Sequence, residues 1–445
     1  MRTKHSLATF TLGLAMSAFS VQPSAFSLQR AAGGPADEAT PPELNEDSQL
    51  GDYLLFAAAH NPGLRAAFER WQAALNREVQ ARTLPDPRVG YGHYLKDIRG
   101  RLSDRRQVFR ASQEFPWFGK LGLEGDMARQ EAVATERVYD AARLRLFAEV
   151  KSVYAEYYYL SRSLAVSEEN IELMKYLEQV VRTRYAAGAA GHPDVIKAQV
   201  ELGKLENERR MLGDMRPAVS AKLNATLGRP PEIPISWPRA LPEEPIAAES
   251  AELLAALRAA NPELQAMAAD VAKEESAVRR AHKNYYPDLM LELEYMDMRS
   301  RGMPDEVMGM VSVNLPIWRA KYRAGEREAQ ARLRSAQRML EDRRNLLGAE
   351  AAMALYGVRD AQRRIGLYRD TLLPKAKESL KAVQTAFAGG KAMFLDVLDA
   401  QRVLLEFGLA YERALADHVQ RRGELERLIG REIPAAATRT EARGH

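Results

Sequence analysis

The sequence predicts a mainly α-helical chain with a minor β component, built as two tandem copies of one unit: helix, β-hairpin, very long helix, returning helix. Three observations predict it. Short motifs recur in order at a nearly constant offset. The stretch from Trp117 to His192 contains no proline, and from Asp126 to Ala187 it contains no glycine. Paired segments of alternating polarity, each entered and left at a proline, read as hairpins.

The duplication is explicit. Asn61-Pro62-Gly63-Leu64 recurs as Asn261-Pro262-Glu263-Leu264, Pro87 as Pro287, and Phe115-Pro116-Trp117 as Leu315-Pro316-Ile317, all at an offset of 200. Gly188 and the run Asp194-Val195-Ile196-Lys197-Ala198-Gln199 recur as Gly390 and Asp396-Val397-Leu398-Asp399-Ala400-Gln401, at an offset of 202. Leu227-Gly228-Arg229 then matches Ile429-Gly430-Arg431. Chance gives one such match, not an ordered series.

Taken in order, residues 1–27 read as a signal peptide. Arg2, Lys4 and His5 form a basic start, and Leu7 to Phe19 is an apolar run too short to span a bilayer. A linker is expected over 28–48. The first repeat is expected over 49–229, with helices at about 53–83, 119–187 and 194–227 and a hairpin at about 86–115. A Pro-rich linker follows at 230–248. The second repeat is expected over 249–431, with helices at about 249–284, 319–388 and 395–429 and a hairpin at about 288–315. Residues 432–445 read as a flexible tail. Pro374 falls inside the second long helix, where a missing N–H and a ring clash predict a kink or break.

Composition narrows the function. Lys+Arg number 64 and Asp+Glu 60, a net charge of +4 that leaves no basic surplus for phosphate neutralisation, so nucleic acid is not an expected partner. There is no cysteine, hence no disulfide framework or acylated N-terminal cysteine. No catalytic set, cofactor or metal site is expected; His60, His93, His192, His282 and His418 lie far apart and read as surface or interface residues. After the first thirty residues no apolar run reaches the roughly 18 residues of a membrane helix, so contact with lipid requires a β-barrel.

Four strands are too few to close a barrel, and a helix of about 100 Å needs coiled-coil or helical-barrel partners. Several chains combined solve both problems. In the second hairpin Val307, Val311, Val313 and Leu315 alternate with Met308, Met310, Ser312 and Asn314, and Leu289, Leu291 and Leu293 alternate with Glu292 and Glu294. Apolar-out, polar-in is the outer-membrane pattern, although a soluble hairpin packed on a helix reads the same way. The first hairpin is less regular, with His93 on the apolar side. Trp117, Phe118, Tyr285, Tyr286 and Trp318 gather where strands meet helices, the place of an interfacial girdle. Met290, Met296, Met298, Met303, Met308 and Met310 crowd the second hairpin. Thioethers bind Cu(I) or Ag(I), but methionine is more often flexible filler.

From about Leu54 to Arg431 the chain resembles the TolC-like outer-membrane efflux protein family. The resemblance rests on the Asn-Pro-x-Leu openings, Phe115-Pro116-Trp117-Phe118-Gly119-Lys120, Leu373-Pro374, and Phe387-x-x-Gly390 with Asp396-Val397-Leu398-Asp399-Ala400. The Trp-Phe-Gly-Lys form is most similar to the heavy-metal efflux branch. The resemblance implies a homotrimer with a 12-stranded β-barrel in the Gram-negative outer membrane and a long α-helical barrel in the periplasm. It implies a periplasmic adaptor and an inner-membrane pump of RND or ABC type as partners, outer-membrane lipid around the barrel, and no chemistry in the channel itself. A periplasmic coiled-coil adaptor or tether, and the exit duct of a type I protein secretion system, are the alternatives.

Asp396 and Asp399 share one helix face near the Gly389-Gly390 reversal. Spacing by itself favours two acids that complement the helix dipole. With the family motif they read as a periplasmic gate, a carboxylate ring that favours cations. Asp194, Lys197 and Lys391 are candidates to pair across the tip as a latch, with Tyr185, Gly188, Phe387 and Gly390 as further latch or adaptor contacts. The family often has tyrosine where Phe387 stands; Tyr185 keeps a hydroxyl in the first copy.

Overall fold

A computed structural model describes residues 43–93, 107–243, 245–246, 249–297 and 305–433. The signal peptide, most of the 28–48 linker, nearly all of the tail, Met298 and Met303 lie outside the described residues. Each copy opens with two helices: α1 (Leu50–His60) and α2 (Pro62–Arg82), then α5 (Ser250–Ala260) and α6 (Pro262–Lys283). The strands are β1 (Arg88–His93) and β2 (Gln107–Phe115), then β3 (Leu289–Asp297) and β4 (Glu306–Val313). The long helix of the first copy is α3 (Lys120–Ala186), returned by α4 (His192–Leu227). Its counterpart is α7 (Arg319–Leu367), continued by α8 (Leu373–Ala388) and returned by α9 (Phe394–Ile429).

The opening helices differ from the single helices expected over 53–83 and 249–284. Each is broken at the asparagine of its Asn-Pro pair, because proline excludes the preceding residue from helical φ/ψ and accepts the first helical position. Asn61 Oδ1 accepts the Leu64 N–H at 3.0 Å while its Nδ2 donates to the Thr226 carbonyl at 2.9 Å. Asn261 repeats both bonds, from Leu264 at 2.9 Å and to Leu428 at 2.8 Å. One side chain thus caps a helix start and ties it to the end of the returning helix. Gly228 and Gly430 end those helices in left-handed conformation, at φ +78° and +87°. They let the returning backbone pass close to His60 and Ala260.

At Pro374 the helix neither stops nor breaks. Tyr368–Leu372 forms a π turn, and the Leu373 N–H bonds to the Tyr368 carbonyl. The wider turn makes room for a ring that clashes with the carbonyl four residues back.

Along α3 one line of buried residues runs Leu146, Val150, Val153, Tyr157, Leu160, Ser163, Ser167, Asn170, Met174, Leu177, Val181. Steps of three and four are those of a coiled-coil seam. One core joins Tyr53, Tyr154, Tyr157, Leu223 and Leu227; its counterpart in the second copy joins Leu257, Leu347, Val358, Leu425 and Ile429. Each leucine, isoleucine or valine among them contributes about 1.5–3 kcal/mol on burial. The 230–248 linker belongs to these cores: Tyr157 donates to the Ile235 carbonyl at 2.9 Å and stacks on Trp237 at 4.6 Å. His418 is not a surface residue; it is 2% exposed, on the side of α9 that carries Ala414 and Leu425 against α7.

The four strands form one antiparallel sheet in chain order. The β2–β3 pairing joins the two copies over nine residue pairs, from Gln107↔Asp297 to Phe115↔Leu289. β1 and β4 are its edges.

Candidate gate and sheet junction

The two helical reversals sit side by side at one end of the helices. Gly188 (φ +69°) closes the turn between α3 and α4, and Gly390 (φ +71°) the turn between α8 and α9. Both glycines supply the left-handed residue that ends a helix. Beneath them Val181, Val195, Ala198, Phe387, Phe394, Val397 and Leu398 form a buried cluster shared by both copies. The Phe387 and Phe394 rings lie 5.9 Å apart. Arg184, absent from the sequence reading, spans the two turns. Its guanidinium donates to the Phe387 carbonyl and lies 4.4 Å from the centre of the Phe387 ring. A cation over an aromatic face adds about 0.5–1 kcal/mol at such a site.

Asp396 and Asp399 are both exposed on α9. Asp396 Oδ2 accepts the Met393 N–H at 2.8 Å, so this acid caps its own helix. Asp399 stands 3.5 Å from Arg402 Nη1. Arg402 grips Glu201 of α4 with two bonds, 3.0 Å from Nε and 2.7 Å from Nη2. That grip outweighs burial and holds the Glu201 carboxyl below its ordinary range. Within the protomer Lys197 pairs with Asp194, 3.8 Å away on its own helix, rather than across the tip. Neighbours three residues apart on a helix meet before distant ones do. Lys391 and Tyr185 are exposed, and the Tyr185 ring lies 5.5 Å from His192.

At the other end the strands pass into helices through Asp288. Its Oδ1 accepts the Trp117 N–H at 2.7 Å and the Lys120 ammonium at 2.6 Å. Its Oδ2 accepts Asn314 Nδ2 at 3.3 Å. One carboxylate therefore ties the exit of the first hairpin to the entry and exit of the second. Lys120 is 4% exposed and also donates to the Tyr286 carbonyl. Trp117 stacks on Tyr286 at 5.4 Å and meets Phe118 edge-on at 5.7 Å. Tyr285 instead turns to Tyr322, 5.7 Å away, and Trp318 is 74% exposed. Ring contacts thus join three of the five aromatics, Trp117, Phe118 and Tyr286. Asp288 follows a proline just as Asp86 does, the one signal in the sequence that pointed at it.

On the sheet, Val89, Tyr91, Phe109, Ala111, Phe115, Leu289, Leu291, Leu293, Tyr295, Val307, Val311 and Val313 share one face by register. Arg88, Arg110, Ser112, Glu114, Glu292, Glu294, Glu306 and Ser312 share the other. His93 remains on the apolar face, opposite Gln107. No helix among the described residues is long and apolar enough to cross a membrane.

The sequence profile of the family described as "Outer membrane efflux protein" matches residues 56–229 and 253–431. The chain is 24% identical over 395 residues to the cobalt-zinc-cadmium resistance protein CzcC of Cupriavidus metallidurans, covering 85% of this chain and 89% of that one. Its fold matches the outer membrane protein VceC of Vibrio cholerae with a TM-score of 0.73 at 19% identity, over 86% of this chain and 97% of that one. It matches a membrane protein from Pseudomonas aeruginosa with a TM-score of 0.76 at 21% identity, over 87% and 91% of the two chains.

Proposed function

The chain belongs to the outer membrane efflux protein family, and we propose that three copies form the exit channel of a tripartite efflux pump. The protein resides in the Gram-negative outer membrane with its helices in the periplasm, and its family carries solutes rather than transforming them. The sheet supports the channel reading more than any other single feature. One face is mostly apolar, with polar residues at Gln113 and at the His93–Gln107–Asp297 end, the other carries most of the charges, and both edges are open. Such a sheet is stable in lipid only when copies close it edge to edge. Three copies bring twelve strands and put the polar face inside.

In this reading the tip around Arg184, Phe387, Asp396 and Asp399 is the periplasmic constriction. A periplasmic adaptor binding there, coupled to an inner-membrane pump, opens it. The likeness to CzcC over most of both chains supports metal ions as the cargo class. The test is electrical and biochemical together. Purified protein from outer-membrane fractions is expected to run as a heat-modifiable trimer and to conduct ions in planar bilayers. A water-soluble monomer without conductance overturns the proposal.

A further inference from the structure

Methionines and branched aliphatics are segregated on the second hairpin. The apolar face carries Leu289, Leu291, Leu293, Val307, Val311 and Val313, and no methionine. The opposite face carries Met290, Met296, Met308 and Met310. Met310 stands directly across from Glu292, and Met308 across from Glu294. Met290 and Met296 face Ser312 and Glu306, which places them on the diagonals to Met310 and Met308. Directly opposed side chains start about 4.5–5.5 Å apart and diagonal ones about 7–8 Å, within reach of long side chains. The face therefore repeats one arrangement twice: two thioethers and a carboxylate.

Apolar filling does not account for Met308 and Met310. Met308 and Met310 are 43% and 41% exposed on the charged face of the sheet, whereas Met296, 3% exposed and opposite the buried Val108, is filling. On the other face of β3 and β4 the apolar positions are leucine, tyrosine and valine. The two positions also differ. Arg110 donates to Glu294 at 2.7 Å and stands 3.8 Å from Glu292, so Glu294 is already matched. Glu114, across from Met290, adds negative charge beside the Met290–Met310 pair.

We propose that this stripe is a docking station for a soft monovalent cation, Cu(I) or Ag(I), held by the thioethers of Met290 and Met310 with Glu292 balancing its charge. No second position is assigned to Met296 and Met308, because Met296 is buried and Arg110 already pairs with Glu294. Thioethers select soft ions over oxygen-seeking ones. Neutral sulfur ligands also hold an ion loosely enough to release it, as a conduit requires. The inference rests on the channel reading, since it takes this face as the lumen.

The test uses the full chain in detergent, silver nitrate as the probe, and the variant M290L/M296L/M308L/M310L. Leucine keeps the apolar bulk and removes the sulfur. Calorimetry is expected to show saturable Ag(I) uptake by the unaltered protein that is lost in the variant. In planar bilayers with nitrate electrolyte both proteins are expected to conduct, with Ag(I) reducing the current through the unaltered protein alone. Conductance by both with no saturable uptake, or with equal uptake, overturns the thioether site and leaves the channel standing. Conductance by neither overturns the channel reading and the inference with it.

Discussion

Arg184 and Phe387 join the two copies at the tip through two contacts of different kind: the guanidinium donates to the Phe387 carbonyl and covers the Phe387 ring at 4.4 Å. The hydrogen bond fixes the backbone of the turn, and the ring contact fixes the side chain. Arg184→Ala removes both and is expected to raise single-channel conductance without loss of trimers. Arg184→Lys keeps the charge but lacks the planar fork, so its conductance should fall between the two. Equal conductance in all three proteins argues that this contact does not restrain the tip.

Asp396 and Asp399, the acids of the proposed constriction, are expected to separate by substitution. Asp399→Asn removes a charge whose partner Arg402 is already bound to Glu201. Reversal potentials should shift away from cation preference while thermal stability stays within about 0.5 kcal/mol, as for ordinary surface changes. Asp396→Ala also deletes the cap on Met393 and should cost about 0.5–2 kcal/mol. An unchanged reversal potential in both variants removes these acids from the ion path.

Glu201 gives a pH signature. Arg402 depresses its folded-state pKa below the ordinary value. The pair therefore contributes stability above the ordinary carboxylate range, which is lost as pH falls through the depressed value. Glu201→Gln should melt lower than the unaltered protein at pH 7, and the gap should close as pH drops below about 4.5. A gap that stays constant with pH contradicts the assignment.

The repeat junctions predict a matched pair of defects. Asn261→Ala loses a helix cap and leaves the buried Leu428 carbonyl without that donor, a cost of about 1–3 kcal/mol. Gly430→Ala places a Cβ against the Ala260 backbone in left-handed conformation and should cost at least as much. Asn61→Ala and Gly228→Ala test the same joint in the first copy. Urea midpoints measure all four, and values near the unaltered protein's would show that the joints carry no load.

Repetition made the architecture legible, because motifs such as Asn-Pro-x-Leu and Asp-Val-x-x-Ala recur at a fixed distance whatever lies between. The ends of the long and returning helices were legible where glycine marked them, as at Gly188, Gly228, Gly390 and Gly430. The breaks at Asn61 and Asn261 were missed because apolar periodicity runs on through both. The site was less legible. Asp396 and Asp399 stood out as a spaced pair, but Arg184 has Ala386 as its counterpart at the 202-residue offset, so no repeat pointed to it. Glu201 and Arg402 lie 201 residues apart on different helices. Only packing brings them together, and a single sequence carries no mark of it.

The sheet's two unpaired borders bear on how the protein reaches its membrane. A solitary copy arriving at the bilayer would bring the amides of β1 and β4 into oil without partners, at several kcal/mol for each such group. Subunits must meet before or during entry, so incorporation into vesicles should rise more steeply than in proportion to protein concentration. A copy that reached the aqueous space before its partners would expose its strand edges to aggregation, and dependence on a periplasmic chaperone is the expected biogenetic cost.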